Sequence, residues 1–223
     1  MANTPPTPPV HEAAHRRDWP AYFDRMQGKP PRDTVLKAIA LFQDSLREID
    51  PDHPLHAVDL GCGDGRDSVP LLQAGFTVWA QDGSDDGINR TKARPEIQAA
   101  LAENRISINH ANFEGLQIPK ADLVNASFSL PFCPPDHFQA LWSQIDAAIP
   151  PGGRFSGQIF GDRDDWAIIE DRSHYTRAET LKLFDQYILE HFVEEDRPSR
   201  QSEDMHKHWH MFHIVARKRV TTS

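Results

Sequence analysis

The residues best placed to do chemistry lie in the segment 57–68, AVDLGCGDGRDS, where an apolar run containing Asp59 meets a glycine-rich turn. Three glycines stand at alternate positions in that turn, namely Gly61, Gly63 and Gly65. Glycine permits positive φ and lets a ligand approach the backbone closely, and the apolar run 57–60 is typical of a buried strand. We predict that a helix over 67–74 follows. A strand, a glycine turn and a helix start in this order predict a ligand-binding loop.

A second carboxylate follows the next predicted strand, 76–81, where Asp82 stands directly after FTVWAQ. It lies about 20 residues past the first glycine, the spacing at which an acid meets a ribose in nucleotide-binding α/β units. A solvated helix cap for the segment that begins near Asp85 is the alternative for this side chain.

Two departures indicate which nucleoside is bound. Position 66 is Arg, where the dinucleotide fingerprint has its third glycine, and the loop lacks the Lys followed by Ser or Thr of a phosphate-binding loop. Acids surround the glycines instead, at Asp59, Asp64 and Asp67. These charges suit a ligand that bears a cationic amine and a sulfonium better than one that bears phosphates.

The pattern resembles motif I of the class I S-adenosylmethionine-dependent methyltransferases, and the resemblance extends from about residue 19 to residue 217. It implies that S-adenosyl-L-methionine is the cofactor and that the loop, with its neighbours Asp59 and Cys62, lines the methionine portion. Asp82 would hold the ribose hydroxyls, with Gly83 beside it. The resemblance also implies an adenine site at Asn112 and Phe113 and an acceptor side that starts at Asn125. From the residues alone, the glycines could form a mere turn, Phe113 ordinary core and Asn125 a strand-end cap.

Aromatic residues precede the predicted first helix in the segment 18–23, DWPAYF. This segment, followed by Gly28 and Pro30, resembles the entry segment of the thiopurine and tellurite-resistance methyltransferases, which folds over the cofactor. Trp19 and Tyr22 would then close the pocket and exclude water. The alternative is that both rings only pack the first helix onto the sheet.

Alternating strand and helix patterns predict an α/β fold, a Rossmann-like parallel sheet with helices on both faces. The residues predict seven strands, at 57–60, 76–81, 106–110, 122–126, 154–160, 191–195 and 209–217. The resemblance adds the order 3-2-1-4-5-7-6 with strand 7 antiparallel. We predict helices over 32–49, over 85–103 with a break or kink at Pro95, over 135–149 and over 177–187. Residues 1–17 are predicted to be a disordered tail, and 18–223 a single methyltransferase domain.

Composition narrows the partners. The 223 residues carry a formal net charge of −9, which argues against a nucleic-acid substrate because phosphate backbones require clustered Lys and Arg. Two cysteines give no disulfide framework, and no targeting or membrane-spanning segment is evident, so we expect a cytoplasmic monomer or homodimer.

The acceptor side is expected in the loops after strands four, five and six, which hold ring faces and cations. They suit a small acceptor such as a thiol, a chalcogen oxyanion or a hydroxyl. A hydroxyl would need a base, for which His174, His206 and His208 are the candidates. No metal is predicted: four histidines lie between 206 and 213, but no cysteine or carboxylate has ligand spacing and methyl transfer needs no Lewis acid.

Two other functions fit parts of the pattern. A module that binds S-adenosylmethionine without turnover would retain Asp82 and the glycines while its acceptor loops varied. A nicotinamide-dependent oxidoreductase would use a similar strand, loop and acid, but Arg66 and the lack of a Tyr-x-x-x-Lys pair count against it.

Overall fold

A computed structural model describes residues 10–46, 53–199 and 207–220. Within these ranges the chain forms eight strands, β1 (His56–Leu60), β2 (Thr77–Asp82), β3 (Ile106–His110), β4 (Leu123–Ala126), β5 (Arg154–Gly161), β6 (His174–Tyr175), β7 (Tyr187–Pro198) and β8 (His208–Lys218). Its α-helices there are α1 (Val10–His15), α2 (Trp19–Met26), α3 (Asp33–Leu46), α4 (Ser68–Gln73), α5 (Asp85–Ala93), α6 (Pro95–Ala102), α7 (Pro135–Ala148) and α8 (Arg177–Leu183). Short 3-10 helices span Leu130–Phe132 and Asp165–Ile168.

The strands form one sheet in the order β3-β2-β1-β4-β5-β8-β7, and the two-residue strand β6 pairs with the end of β5. Strands β1 to β5 are parallel, whereas β8 runs antiparallel to both of its neighbours, β5 and β7. With β6 set aside, this is the predicted order 3-2-1-4-5-7-6. The Rossmann-like fold is therefore confirmed, and β6 is the one strand that the sequence did not indicate.

The core lies on both faces of the sheet. Every residue of β4 and β5 is buried, as expected for central parallel strands that are covered by helices on both sides. On one face Trp142 of α7 packs against Phe155, and on the other Phe42 of α3 packs against Phe76. This frame fixes the carboxyl ends of β1, β2, β4 and β5 at one edge.

The amino-terminal boundary differs from the predicted one. Residues 1–9 lie outside the described part of the chain, but α1 is a helix within the segment predicted as a tail. Ala13 and Ala14 are buried, and Ala14 packs into a cluster with Phe160 and Trp166. The prediction of a disordered tail over 1–17 is therefore wrong for 10–17. The segment is ordered because small apolar residues on one face of α1 pack against aromatic side chains.

The predicted break at Pro95 in the helix 85–103 is confirmed. Arg94, with the extended backbone (ψ 131°) that a following proline imposes, separates α5 from α6. Strand β7 is 12 residues long, well beyond the predicted 191–195, whereas β8 exceeds the predicted 209–217 by one residue at each end. Among the described residues, no helix is both long enough and apolar enough to cross a membrane.

Candidate functional site

A cavity of about 1000 Å³ opens at the carboxyl ends of the strands, where ligands bind in open α/β sheets. Its walls come from α2, the glycine loop after β1, the segments after β2, β3 and β4, and the paired strands β7 and β8. A volume at the upper end of the range for ligand pockets is sufficient for a nucleoside cofactor and a second small molecule.

The glycine loop is packed closely from outside. Gly61 and Gly63 have φ of +66° and +57°, and both line the cavity. A Cβ on Gly61 would lie 2.3 Å from Cβ of Ser129, and one on Gly63 would lie 2.8 Å from the ring of Phe23. Gly65 also has positive φ but packs on Thr91 and is not part of the wall. The loop that the sequence predicted is therefore present, with Gly65 shaping its turn instead of facing the cavity.

Asp82 ties this loop to the end of β2. One carboxylate oxygen accepts from the amide of Gly63 at 2.8 Å and the other from the amide of Ser84 at 2.7 Å. Burial raises the pKa of Asp82, and these two amides oppose the shift. The helix-cap alternative does not describe this residue, because Ser84 is the residue that caps α5, by accepting from the amide of Gly87. The carboxylate faces the cavity with lone pairs to spare for hydroxyl groups.

Asp59 is a buried acid on the cavity floor. Its two oxygens accept from Asn125 at 2.9 Å and from the hydroxyl of Ser68 at 2.6 Å. Burial raises its pKa to about 7, and the nearby charge of Asp67 adds to the shift. Asn125, predicted to open the acceptor side, is fully buried and does not line the cavity. Its amide instead holds Asp59.

The predicted adenine end is assembled after β2 and β3. Gly83, Asn112 and Phe113 line the cavity together, and a Cβ on Gly83 would lie 2.6 Å from Oδ1 of Asn112. Cys62 is buried in the same wall, and burial raises the pKa of its thiol well above the usual value. Gln81 was not predicted, but its amide accepts from Gly61 at 3.3 Å and donates to the carbonyl of Ala111.

Helix α2 lies across the glycine loop. Phe23 is buried against Gly63 and Gly87, and Asp24 pairs with Arg90 at 2.6 Å. Trp19 and Tyr22 are half-buried, and both line the cavity. Trp19 also meets Phe132 edge-on, with ring centroids 5.0 Å apart. The two predicted rings therefore line the cavity, whereas their neighbour Phe23 packs against the glycine loop.

Two arginines in the wall were not predicted as site residues. In the part of the chain that the structure describes, Arg32 and Arg66 each have a buried Nε with no hydrogen-bond partner. Burial lowers the pKa of Arg66, and the charge of Arg32 lowers it further. The guanidinium of Arg32 stacks on Phe128, with Cζ 4.1 Å from the ring centre. Although Asp67 lies 3.9 Å from Nε of Arg66, these two Nε atoms are left without hydrogen bonds among the described residues, and such guanidinium groups favour an anionic ligand group between them.

The far wall is aromatic. Phe128 follows β4 with φ of +55°, a conformation that bulky residues rarely adopt and that is typical of functional sites. Other rings stand around it, namely Phe132, Phe160, Trp166 and Trp209. Alternate residues of a strand share a face, so Trp209, Met211 and His213 of β8 all reach this wall.

His213 is held by an acid from the neighbouring strand. Its Nε2 lies 2.8 Å from a carboxylate oxygen of Glu195 in β7, and Arg197 pairs with the other oxygen of Glu195 at 2.7 Å. The hydrogen bond from His213 is the main cause that lowers the pKa of Glu195. All three residues line the cavity. The sequence contained one signal for His213: it stands two and four positions from Met211 and Trp209, on their face of the strand.

The predicted bases lie elsewhere. His208 is on the opposite face of β8, where its Nε2 is 2.6 Å from Asp196, outside the cavity. His174 packs beside Phe160 with ring centroids 5.7 Å apart, and it is not among the lining residues. His206 lies outside the described residues. The prediction of His174 and His208 as acceptor-side residues is therefore not supported by their positions, because strand parity and the ring of Phe160 separate them from the cavity.

One group of metal-ligand types occurs among the described residues. Ligand atoms of Glu194, Asp196 and His210 lie within 4.8 Å of one another. The guanidinium of Arg163 contacts the three of them, at 2.9, 2.6 and 3.0 Å. An arginine therefore already supplies the positive charge at this position, which is also outside the cavity.

Comparison with known proteins finds relatives with a methyltransferase domain. A family profile described as "Methyltransferase domain" matches residues 57–153. A carboxy-S-adenosyl-L-methionine synthase of Vibrio atlanticus is 27% identical over 152 residues, which are 65% of this chain and 60% of that protein. The enzyme of that name from Chromohalobacter salexigens is 31% identical over 104 residues, 44% of this chain and 37% of its own. The chain spans about 60% of the length of the first of these relatives.

Solved structures show the same fold. TehB from Haemophilus influenzae superposes with a TM-score of 0.65 at 17% identity, over 89% of this chain and 66% of its own. The 1,6-didemethyltoxoflavin-N1-methyltransferase of Burkholderia thailandensis, solved with its substrate and S-adenosylhomocysteine, gives 0.58 at 20% identity, over 98% of this chain and 94% of its own.

Residues 57–153 match the methyltransferase domain, and the sheet order and glycine loop resemble those of the class I S-adenosylmethionine-dependent methyltransferases. S-adenosyl-L-methionine is the cofactor of this class. The fold is similar to that of TehB.

Proposed function

We propose that the protein transfers the methyl group of S-adenosyl-L-methionine to a small-molecule acceptor. The observation that carries the proposal is the division of one cavity into two unlike ends. The glycine loop, Asp82 and the polar Asn112 form one end, and an aromatic wall with His213 forms the other. A site that only stored the cofactor would not need the second end.

The cofactor fits the first end by its chemistry. The backbone of Gly61 and Gly63 would face the methionine portion, and Asp82 would accept from the ribose hydroxyls. Asn112 and Phe113 would offer polar contacts and a ring face to the adenine.

The acceptor end suits a flat and partly anionic molecule. Phe128, Phe132 and Trp209 present rings for stacking, and Arg32 and Arg66 present guanidinium groups in the cavity wall. The acceptor classes that we predict are a thiol, a chalcogen oxyanion and a hydroxyl. The proposal includes no nucleic-acid partner, no membrane and no metal. It makes no choice between a monomer and a homodimer.

The reaction is a direct displacement. The acceptor heteroatom attacks the methyl carbon in line with the sulfur, the C–S electron pair returns to sulfur, and the nucleoside leaves as a neutral thioether. The protein supplies alignment, and holding the reacting atoms about 3 to 3.5 Å apart can account for ~7 to 11 kcal/mol of the barrier. Trp19 and Tyr22 would exclude water from the sulfonium.

A second candidate is the formation of carboxy-S-adenosylmethionine, the product in the name of the curated relatives. The observation in its favour is the pair Arg32 and Arg66, since a carboxylate is the group that two guanidinium ions bind best.

Incubation with methyl-labelled S-adenosylmethionine separates the two candidates. The acceptor panel contains thiols, tellurite and selenite, phenols and nitrogen heterocycles, with and without small oxoacids as carboxyl donors. Methyl transfer gives labelled acceptor and S-adenosylhomocysteine, whereas carboxylation leaves the label on a heavier nucleoside. Binding of the cofactor with neither product would instead support the binding module.

A further inference from the structure

We propose that His213 is the catalytic base of the acceptor site and that Glu195 positions it, so that the acceptor is a molecule whose heteroatom must lose a proton during methyl transfer. This inference rests on the proposed methyltransferase function and narrows its acceptor class to phenolic hydroxyls and ring N–H groups. Pre-ionised thiols and chalcogen oxyanions would need no such base.

Sheet geometry brings the two side chains together. In the register of β7 and β8, His213 is opposite Val193 and Glu195 is opposite Met211, so the two residues are diagonal neighbours on one face. Diagonal side chains of long residues reach each other across an antiparallel pair, and here Nε2 and the carboxylate are 2.8 Å apart. The pair is one-quarter exposed or less, at 22% for His213 and 23% for Glu195.

The acid determines which nitrogen of His213 is free. Hydrogen bonding to His213, together with Arg197, lowers the pKa of Glu195, so its carboxylate is ionised and can only accept. Nε2 must then carry the proton, and neutral His213 keeps the lone pair on Nδ1. Among the described residues, no hydrogen-bond partner occupies Nδ1.

The surroundings of His213 are suited to a flat acceptor. The ring of Phe128 lies edge-on to the ring of His213, with centroids 6.1 Å apart. Cζ of Arg32 lies 4.1 Å from the centre of the Phe128 ring. A flat acceptor that stacks in this aromatic end would have His213 at its margin. The strained φ of Phe128 is consistent with a ring that is held in place for a ligand.

The step balances as follows. The acceptor X–H gives its proton to Nδ1 of His213 as X attacks the methyl carbon, the X–C bond forms, and the C–S pair returns to sulfur. The imidazolium is stabilised by Glu195, and it releases the proton to water after the products leave. No oxidant or metal takes part.

The first test reads the tautomer by 15N NMR of the labelled protein with S-adenosylhomocysteine added. We expect the Nε2–H form for neutral His213 in the wild type and loss of that preference in Glu195→Gln, whose amide can donate to the ring. A neutral His213 that carries its proton on Nδ1 would overturn the proposal, whatever the acceptor is.

The second test compares acceptors in His213→Gln. We expect the methylation of phenols and N–H heterocycles to fall about 100- to 10,000-fold, the usual contribution of a general base, while an already ionised thiol, 2-nitro-5-thiobenzoate, reacts as before. His208→Gln is the matched control, because His208 has the same kind of carboxylate partner outside the cavity. S-adenosylhomocysteine affinity should be unchanged in both variants.

Equal losses for phenols and for the ionised thiol, or no loss for phenols, would contradict a base at His213. If the wild type binds S-adenosylhomocysteine but methylates no member of the panel, the proposed function fails on its acceptor. In that case the tautomer measurement still decides between an oriented base and a merely structural pair.

Discussion

At the scale of single residues, the acids of the glycine loop have opposite tasks. Asp82 accepts from two backbone amides and faces the cavity, whereas Asp59 is buried beneath it and holds its proton more firmly than an ordinary carboxyl. Both acids could be singled out from the sequence because they flank the glycine loop within one βαβ unit, although Asp59 is also held by Asn125 of β4. Arg32 and His213 could not be found in this way, because helix α3 and strand β8 bring them to the site from distant parts of the chain.

Asp59→Asn should stabilise the protein at neutral and alkaline pH. The pKa of Asp59 is raised to about 7 in the folded protein. Protonation of Asp59 therefore stabilises the folded state, and this stabilisation is complete below the pKa of the unfolded chain. That contribution is lost as the pH rises from about 4 to 7. Asparagine does not ionise, so the variant does not lose this stabilisation. We expect its melting temperature to be a few degrees above that of the wild type at pH 8 and nearly equal to it at pH 4.

Thermal melts at both pH values check this prediction, with Asp85→Asn as the control, since Asp85 is 88% exposed. About 2–4 °C corresponds to 1 kcal/mol in a domain of this size. A difference between Asp59→Asn and the wild type that does not vary with pH would show that Asp59 is ionised in the fold.

Asp82→Ala should weaken the binding of S-adenosylhomocysteine by 10-fold or more. The ribose hydroxyls lose a charged acceptor, and a hydrogen bond to a charged group contributes ~1.5 to 3 kcal/mol. We also expect the melting temperature to fall, because the backbone amides of Gly63 and Ser84 lose their hydrogen-bond acceptor. Calorimetry and melts measure both effects against Asp85→Ala. Unchanged affinity would remove Asp82 from the cofactor site.

At the scale of elements, the sequence predicted those that are set by local signals and missed the extent of those set by pairing. Helix α7 begins at Pro135 and strand β3 spans Ile106–His110, as predicted from a proline at the helix start and from an apolar run. Strand β7 was predicted too short, because its charged end reads as a loop. The register with β8 extends it by cross-strand contacts, among them His208 with Asp196 and His213 with Glu195.

Helix α2 lies over the glycine loop, and we propose that it controls the access of the cofactor to the cavity. We expect tryptic cleavage after Arg25 to slow when S-adenosylhomocysteine is added, because a segment that closes over a ligand opens less often when the ligand is bound. Limited proteolysis with and without the ligand measures this, and cleavage after Arg105, far from the cavity, serves as the internal control. Equal cleavage rates would leave Trp19 and Tyr22 as packing residues.

Trp19→Ala separates closure from packing further. Trp19 is half-buried and lines the cavity, whereas Phe23 is buried against the glycine loop. We therefore expect Trp19→Ala to reduce cofactor affinity with little change in melting temperature. Phe23→Ala should lower the melting temperature by several degrees, since removal of a buried aromatic ring costs ~3 to 5 kcal/mol. Equal destabilisation by the two variants would contradict a closing role for Trp19.

At the scale of the whole molecule, the alternation of strands and helices predicted a parallel sheet, and the family resemblance supplied its order. Neither the alternation nor the resemblance predicted which elements complete the walls of the cavity. Its walls join α2, the loop after β1 and the β7–β8 pair, and the parity that turns His213 inward and His208 outward follows from the strand's position between β5 and β7. Helix α1, expected as a tail, covers the aromatic end through Ala14.

The most direct test of the account is calorimetry of the purified protein with S-adenosylhomocysteine and, in a parallel titration, with NAD. The cavity, the glycine loop with its acids and Arg66 in place of a third glycine predict micromolar binding of S-adenosylhomocysteine and no binding of NAD. Preferential binding of NAD, or no binding of S-adenosylhomocysteine, would contradict it.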